Sequence, residues 1–211
     1  MKCKKLLALV MAAVLSVSML TACGGGSNGV SGSLDQNEVN SLLKNNAGSN
    51  AQIVRDGDLD DAVKAGAAQI VSTGNANSAS AVVANEMGWD FVSVASQLIN
   101  SIKNSGGVTS IGTSFGITYV IEENTLKNND GLGLVGLFAP NKGQIQKLGK
   151  INTPEAYAAA QILMIDGSIG QAQDASNDVV RFNYSASAKK ATTANDVSYW
   201  VIGIEVKVAA L

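Results

Sequence analysis

Ser198-Tyr199-Trp200-Val201-Ile202-Gly203-Ile204-Glu205-Val206-Lys207-Val208 is the stretch on which the fold turns. Trp200, Ile202, Ile204, Val206 and Val208 fall on alternate positions, with Glu205 and Lys207 between them. A period of two in β-branched and aromatic residues marks a strand with one buried face. The apolar face is expected to lie against helices, leaving Glu205 and Lys207 in solvent and Ser198, Tyr199 and Val201 less consistently buried. On that reading Ile204→Asp costs several kcal/mol, because an unpaired carboxylate is buried. Glu205→Ala costs less than about 0.5 kcal/mol, as surface substitutions do.

Two other stretches upstream share the period. Val180, Phe182, Tyr184 and Ala186 alternate, as do Ile111, Thr113, Phe115, Ile117, Tyr119 and Ile121. Lys127-Asn128-Asn129-Asp130-Gly131 reads as a turn, and the short apolar run Leu132 to Phe138 is expected to pair back onto Ile111–Ile121 as a hairpin with a long loop. Between the strand signals stands one strong helix start, Thr153-Pro154-Glu155, followed by Tyr157 to Ile165 with apolar residues nearly all round.

Earlier in the chain the period is helical. Asp35 to Asn46 carries Val39, Leu42 and Leu43 on one face, and Ser33 with Gln36 has capping-box spacing. Asp58 is expected to cap a second helix holding Leu59, Ala62, Val63, Gly66, Ala67, Ile70 and Val71 at i, i+3, i+4 positions. A third helical stretch runs from Ser80 to Lys103, with Gly88 and Trp89 as its interruption and Ser105-Gly106-Gly107 as its stop. Helices followed by a mainly antiparallel sheet with one inserted helix make an α+β fold.

The first residues speak of location. Lys2, Lys4 and Lys5 precede an uncharged apolar run from Leu6 to Val17, too short for a stable membrane span. Leu20-Thr21-Ala22-Cys23 then resembles the lipobox of bacterial lipoproteins. That resemblance implies cleavage before Cys23, acylation (palmitate among the chains) of that cysteine, and a place on the outer, extracellular side of the cell membrane. Gly24 to Gly32 is a Gly/Ser run with no apolar periodicity, suited to a tether. The organisation expected is therefore a signal peptide at 1–22, a lipidated cysteine and tether at 23–32, and a single domain at 33–211.

Loss of the leader's three lysines leaves twelve basic residues against 17 acidic ones, which argues against nucleic acid as a partner. The chain has no histidine and two cysteines, Cys3 and Cys23, of which one leaves with the leader and the other is the lipid carrier. No disulfide, no Ser-His or Cys-His nucleophile and no tight zinc or copper site is therefore expected, nor any cofactor.

The remaining candidates are weak. Asp56-Gly57-Asp58-Leu59-Asp60-Asp61 alternates carboxylates like the start of a calcium loop, but the sixth and twelfth positions of that template are Asp61 and Ala67, which do not fit. These acids read better as a helix cap favouring the dipole. Glu122-Glu123 reads as a solvated strand end rather than half of an acid–base pair. Gly131-Leu132-Gly133-Leu134-Val135-Gly136 lacks the strand, helix and downstream acid of a phosphate loop. Trp89 and Tyr199-Trp200 offer stacking surfaces, yet Trp200 belongs to the apolar strand face.

Val39-Asn40-Ser41-Leu42-Leu43, then Asp58-Leu59-Asp60-Asp61-Ala62, resembles the opening helices of CAP/SCP-like domains. Ile111-Gly112, Gly116-Ile117-Thr118-Tyr119 and Leu134-Val135-Gly136-Leu137-Phe138 are similar to their later hairpin. The likeness spans residues 33–140 and implies a CAP-like scaffold whose cavity histidines have no counterpart here. Function is expected to be non-enzymatic: an envelope lipoprotein that binds an envelope or extracellular partner. The alternatives are a carboxylate-dependent hydrolase of envelope polymers, or a catalytically degenerate CAP-like domain.

Overall fold

The computed structural model describes residues 29–89, 114–129, 131, 133, 139–176 and 181–209. Strand β1 (Gly29–Ser31) comes first, then helix α1 (Gln36–Ser41), which widens into a π-helical turn over Leu42–Asn46. Helices α2 (Gly57–Thr73) and α3 (Ser78–Met87) follow. Strand β2 (Ser114–Glu122) leads into the short helices α4 (Glu123–Lys127) and α5 (Lys142–Lys147). The long helix α6 (Pro154–Ser176) precedes the pair β3 (Arg181–Thr192) and β4 (Ser198–Ala209).

The fold is α+β, built on an antiparallel four-stranded sheet in the order β1-β3-β4-β2. The stretch that opened the sequence reading is its central strand: β4 pairs with β3 from Arg181↔Ala209 to Thr192↔Ser198, and with β2 from Ser114↔Lys207 to Glu122↔Tyr199. Among the described residues three helices rather than one stand between β2 and β3, and β1 precedes the first described helix. The hairpin expected for β2 falls largely outside the described residues, since Leu132 and Leu134–Phe138 lie there; on its described side β2 pairs with β4.

Both faces of the sheet are covered, and this corrects the reading of β4 as a strand with one solvated face. Ile202, Ile204 and Val206 join Phe115, Tyr184, Ala186 and Ala188 in a core beneath α1 and α6, with Val39, Leu43, Ile162 and Leu163. Val201, on the other face, is 0% exposed and packs with Leu59, Val63, Ile70 and Val83 of α2 and α3. Glycine makes the second layer fit. A Cβ on Gly203 would stand 2.6 Å from Val63 Cγ2 and 3.0 Å from Leu59 Cδ1, so α2 lies directly on the strand backbone there. A Cβ on Gly66 would stand 2.7 Å from Val83 Cγ2, which sets the approach of α2 to α3.

Helix ends follow the sequence with small shifts. Pro154 opens α6 and Thr153 Oγ1 accepts the Ala156 N–H at 3.1 Å, as expected. The caps of α1 and α2 are Asp35 and Asp56, not Ser33 and Asp58: Asp35 Oδ1 accepts from Asn37 and Glu38, and Asp56 Oδ1 accepts from Leu59. At α1 the charge of Asp35 suits the helix's positive end, and at α2 the helix begins at Gly57, so that Asp58 already lies inside its first turn. Gly88 ends α3 in the left-handed region at φ +66°, and the rest of the stretch expected to be helical, Phe91 to Ile102, lies outside the described residues. Gly29–Ser31 was expected to be tether, but it pairs with Lys190–Thr192, and Val30 packs on the α2–α3 core.

Candidate functional site

The polar end of β4 lies in a cleft of about 370 Å³ lined by Asp58, Asp61, Ala62, Glu86, Met87, Ser114, Glu205 and Lys207. Four elements meet there. Asp58 in the first turn of α2 and Asp61 three residues on stand at i, i+3 spacing, so they share one helix face. Glu86 and Met87 end α3, Ser114 begins β2, and Glu205 and Lys207 stand two apart on the same face of β4.

Asp56 is brought to this end by a chain of pins. Asn40 of α1 clamps the backbone of Ile53, donating to its carbonyl at 3.1 Å and accepting its N–H at 2.7 Å. Ile53 bridges Tyr184 of β3 in parallel sense, and Val54 N–H reaches the Tyr184 carbonyl at 2.9 Å. Three residues after Ile53, Asp56 caps α2 with one carboxylate oxygen and takes the Lys207 ammonium on the other at 2.5 Å.

Lys207 is shared. Its Nζ also stands 3.1 Å from Glu205 Oε2. That oxygen nevertheless has no hydrogen bond of acceptable geometry, so the contact is an ion pair only. The ammonium is held mainly by Asp56, and that hydrogen bond pushes the Lys207 pKa up. At Asp56 burial works upward, but the Lys207 and Leu59 hydrogen bonds outweigh it and hold the carboxyl below its usual range. Glu205 goes the other way: burial raises it, and Lys207 and Ser114 offset that only in part.

Glu205 is 1% exposed, which overturns its sequence placement in solvent. The physical reason is the second helical layer, which the alternation of β4 alone does not announce. Around it the sheet holds three buried polar atoms without hydrogen bonds among the described residues: Glu205 Oε2, Thr118 Oγ1 and Trp89 Nε1. They cluster about Gly116, which pairs with Glu205 in register and would place a Cβ 2.1 Å from the Trp89 ring. Thr118 is two residues on along the same face.

The opposite face has its polar groups satisfied. Tyr119 Oη donates to Gln161 Oε1 at 2.7 Å and packs edge-on against Tyr157, while Tyr184 Oη donates to Asp166 Oδ1 at 2.8 Å. Burial raises the pKa of all three phenols, Tyr157 to about 12, so they are neutral pins of α6 onto the sheet.

The other sequence candidates are dispersed. Asp60 faces Arg55 at 3.4 Å. Glu123 is not a solvated strand end: it binds Lys190 at 2.9 Å and Lys127 at 3.1 Å, and Lys190 above all holds its pKa down. Trp89 is 7% exposed in the α2–α3 core, and Trp200 packs half-buried on the other core over Gly32, so neither offers an open stacking face. Of the glycine run, only Gly131 and Gly133 are among the described residues, and Cys23 lies outside them. Among the described residues no group of three His, Cys, Asp or Glu side chains is placed to hold a metal ion, and no helix is long and apolar enough to cross a membrane. Compared with protein families, curated proteins and solved structures, the chain matches none.

Proposed function

We propose that this chain is a lipid-anchored protein of the bacterial cell envelope, held through Cys23 on the extracytoplasmic side, which binds a partner in the cleft at the far end of β4. The observation that carries the anchor is Leu20-Thr21-Ala22-Cys23 behind a basic, apolar leader. The sheet begins at Gly29, so the chain from Cys23 to the first paired residue reaches about 20 Å at most. Gly29 pairs with Thr192, beside the β3–β4 turn, whereas the cleft lies at Lys207. From Ser198 to Lys207 is nine steps of strand, roughly 30 Å. Gly29 and the cleft thus belong to opposite ends of the sheet, and an acidic cleft is repelled by anionic lipid.

Labelling of cells with an alkyne fatty acid tests the anchor. The wild-type chain should be labelled and membrane-bound, and Cys23→Ala should be neither. Equal labelling of the variant overturns the reading. A second reading, a carboxylate-dependent hydrolase, draws on one observation, the raised pKa of Glu205 beside rim carboxylates. A general acid must touch the leaving oxygen, and a side chain 1% exposed does not reach a polymer. Binding is the better account of the same residues.

A further inference from the structure

We infer that Lys207 and Asp56 condense into an isopeptide bond, with Glu205 carrying the proton between them. The inference requires neither the anchor nor a ligand in the cleft. Lys207 Nζ stands 2.5 Å from Asp56 Oδ2 and 3.1 Å from Glu205 Oε2. One ammonium therefore lies between the carboxylate it can join and a second that can take its proton. The Lys190–Glu123–Lys127 group is the reverse arrangement, two ammonium groups on one carboxylate. Glu205 is the decisive member. It is 1% exposed, and its Oε2 has Lys207 as an ion-pair partner but no hydrogen bond. Burial above all raises its affinity for a proton, and the nearby charge of Asp56 adds to that, so it is suited to take one from Nζ. A polymer does not reach this carboxyl, but Lys207 already touches it.

The step balances from the ion pair. Glu205 takes a proton from Nζ and passes it to Asp56 Oδ2, which leaves a neutral amine beside a neutral carboxyl. The Nζ lone pair attacks Asp56 Cγ, and the carbon–nitrogen bond forms as negative charge moves onto Oδ1. That oxygen already accepts the Leu59 N–H at 3.0 Å, at the positive end of α2, so the charge is stabilised where it develops. A second proton travels from the nitrogen through Glu205 to Oδ2, the Cγ–Oδ2 bond breaks, and water leaves. Ammonium and carboxylate have become amide and water, and Glu205 ends as it began. Condensation is uphill in water, but groups held in contact react with effective molarities of about 10⁵ M or more. The Lys207 side chain is 42% exposed and its hydrogen bond to Asp56 keeps it charged, so the step is slow and the freshly folded chain is the ion-paired form. Once made, the bond ties residues 151 apart, in a chain whose two cysteines offer the domain no disulfide.

The full chain, freshly purified in detergent, is held at neutral pH and sampled by mass spectrometry after digestion with trypsin. Bond formation blocks cleavage at Lys207 and joins the peptide Asp56–Lys64 to Ala191–Leu211, with the loss of one water. That branched peptide should accumulate over days in the folded chain and not in the chain held in urea. Lys207→Arg should form none, and Glu205→Gln should form it about a hundredfold more slowly, the loss of a positioned proton carrier. Circular dichroism on each variant separates loss of reaction from loss of fold. The melting temperature of the wild type should rise on standing, and that of Glu205→Gln should not. The inference is overturned if the folded wild type yields no branched peptide after a week. It is overturned equally if Lys207 is found joined to Asp58 or Asp61 instead, or if folded Glu205→Gln reacts as fast as the wild type. None of these results touches fatty-acid labelling at Cys23.

Discussion

Glu205 is a carboxylate in a place that favours its neutral form. Burial sets its folded pKa above the unfolded value, with Lys207 and Ser114 pulling back. Below the unfolded pKa the group is protonated in both states and costs nothing. Its cost develops as pH rises through the folded pKa and is full beyond it. Glu205→Gln should therefore match the wild type near pH 4 and exceed it near pH 8 by about 1 kcal/mol, since Lys207 keeps Asp56. Thermal melts at the two pH values check this. A Gln variant weaker at pH 8 would mean that the Lys207 ion pair outweighs burial. Asp56 has the opposite sign: its folded pKa is depressed, so its contribution is present above the unfolded value and is lost as pH falls through the folded one. Asp56→Asn keeps a competent cap for α2 and loses only the charge. Asp56→Ala loses the cap as well and should cost about 1 kcal/mol more by melting.

At the scale of the element, β4 shows how far a sequence pattern carries. Its apolar alternation is enough to find the strand, its length and the face of Ile202, Ile204 and Val206, all in the core beneath α6. Ile204→Asp is still expected to lose several kcal/mol. The other face was not legible, because the residue at its centre is a glycine. Gly203 contributes no apolar signal, yet by contributing nothing it admits Leu59 and Val63. Glu205 then lies in the shadow of α2 and α3, although in the sequence it reads as any solvent-facing acid. Gly116 acts likewise on β2, where a Cβ would meet three atoms of the Trp89 ring between 2.1 and 2.4 Å. Gly116→Ala must displace the indole or the strand and should cost about 1–3 kcal/mol in chemical denaturation. An unchanged midpoint would show that Trp89 moves aside freely. The cleft was half legible in the same way: Asp56 to Asp61 stand out as an acidic cluster, but their meeting with Glu86, Ser114 and Lys207 is a matter of tertiary packing that no local spacing encodes.

The described residues form two helical layers on one shared sheet, and β4 contributes alternate residues to each. Val201 belongs to the α2–α3 core and Ile202 to the α1–α6 core, although they are neighbours in sequence. Two cores joined through one central strand should not melt apart, because separating either layer exposes a face of β4 that the other layer depends on. The two tryptophans happen to report one layer each: Trp89 is buried in the α2–α3 core, and Trp200 packs against the other. Trp89→Phe leaves fluorescence from Trp200 alone, and Trp200→Phe leaves Trp89 alone. Each variant has its own stability, so the comparison is made within a variant, between its fluorescence and its far-ultraviolet circular dichroism in a urea titration. Coincident transitions are expected in both, with m-values within error of the wild type. If Trp89 fluorescence changes at a lower urea concentration than the helical signal, the α2–α3 layer opens first. The cleft, whose walls are α2 and α3, would then be carried by the less stable half of the fold.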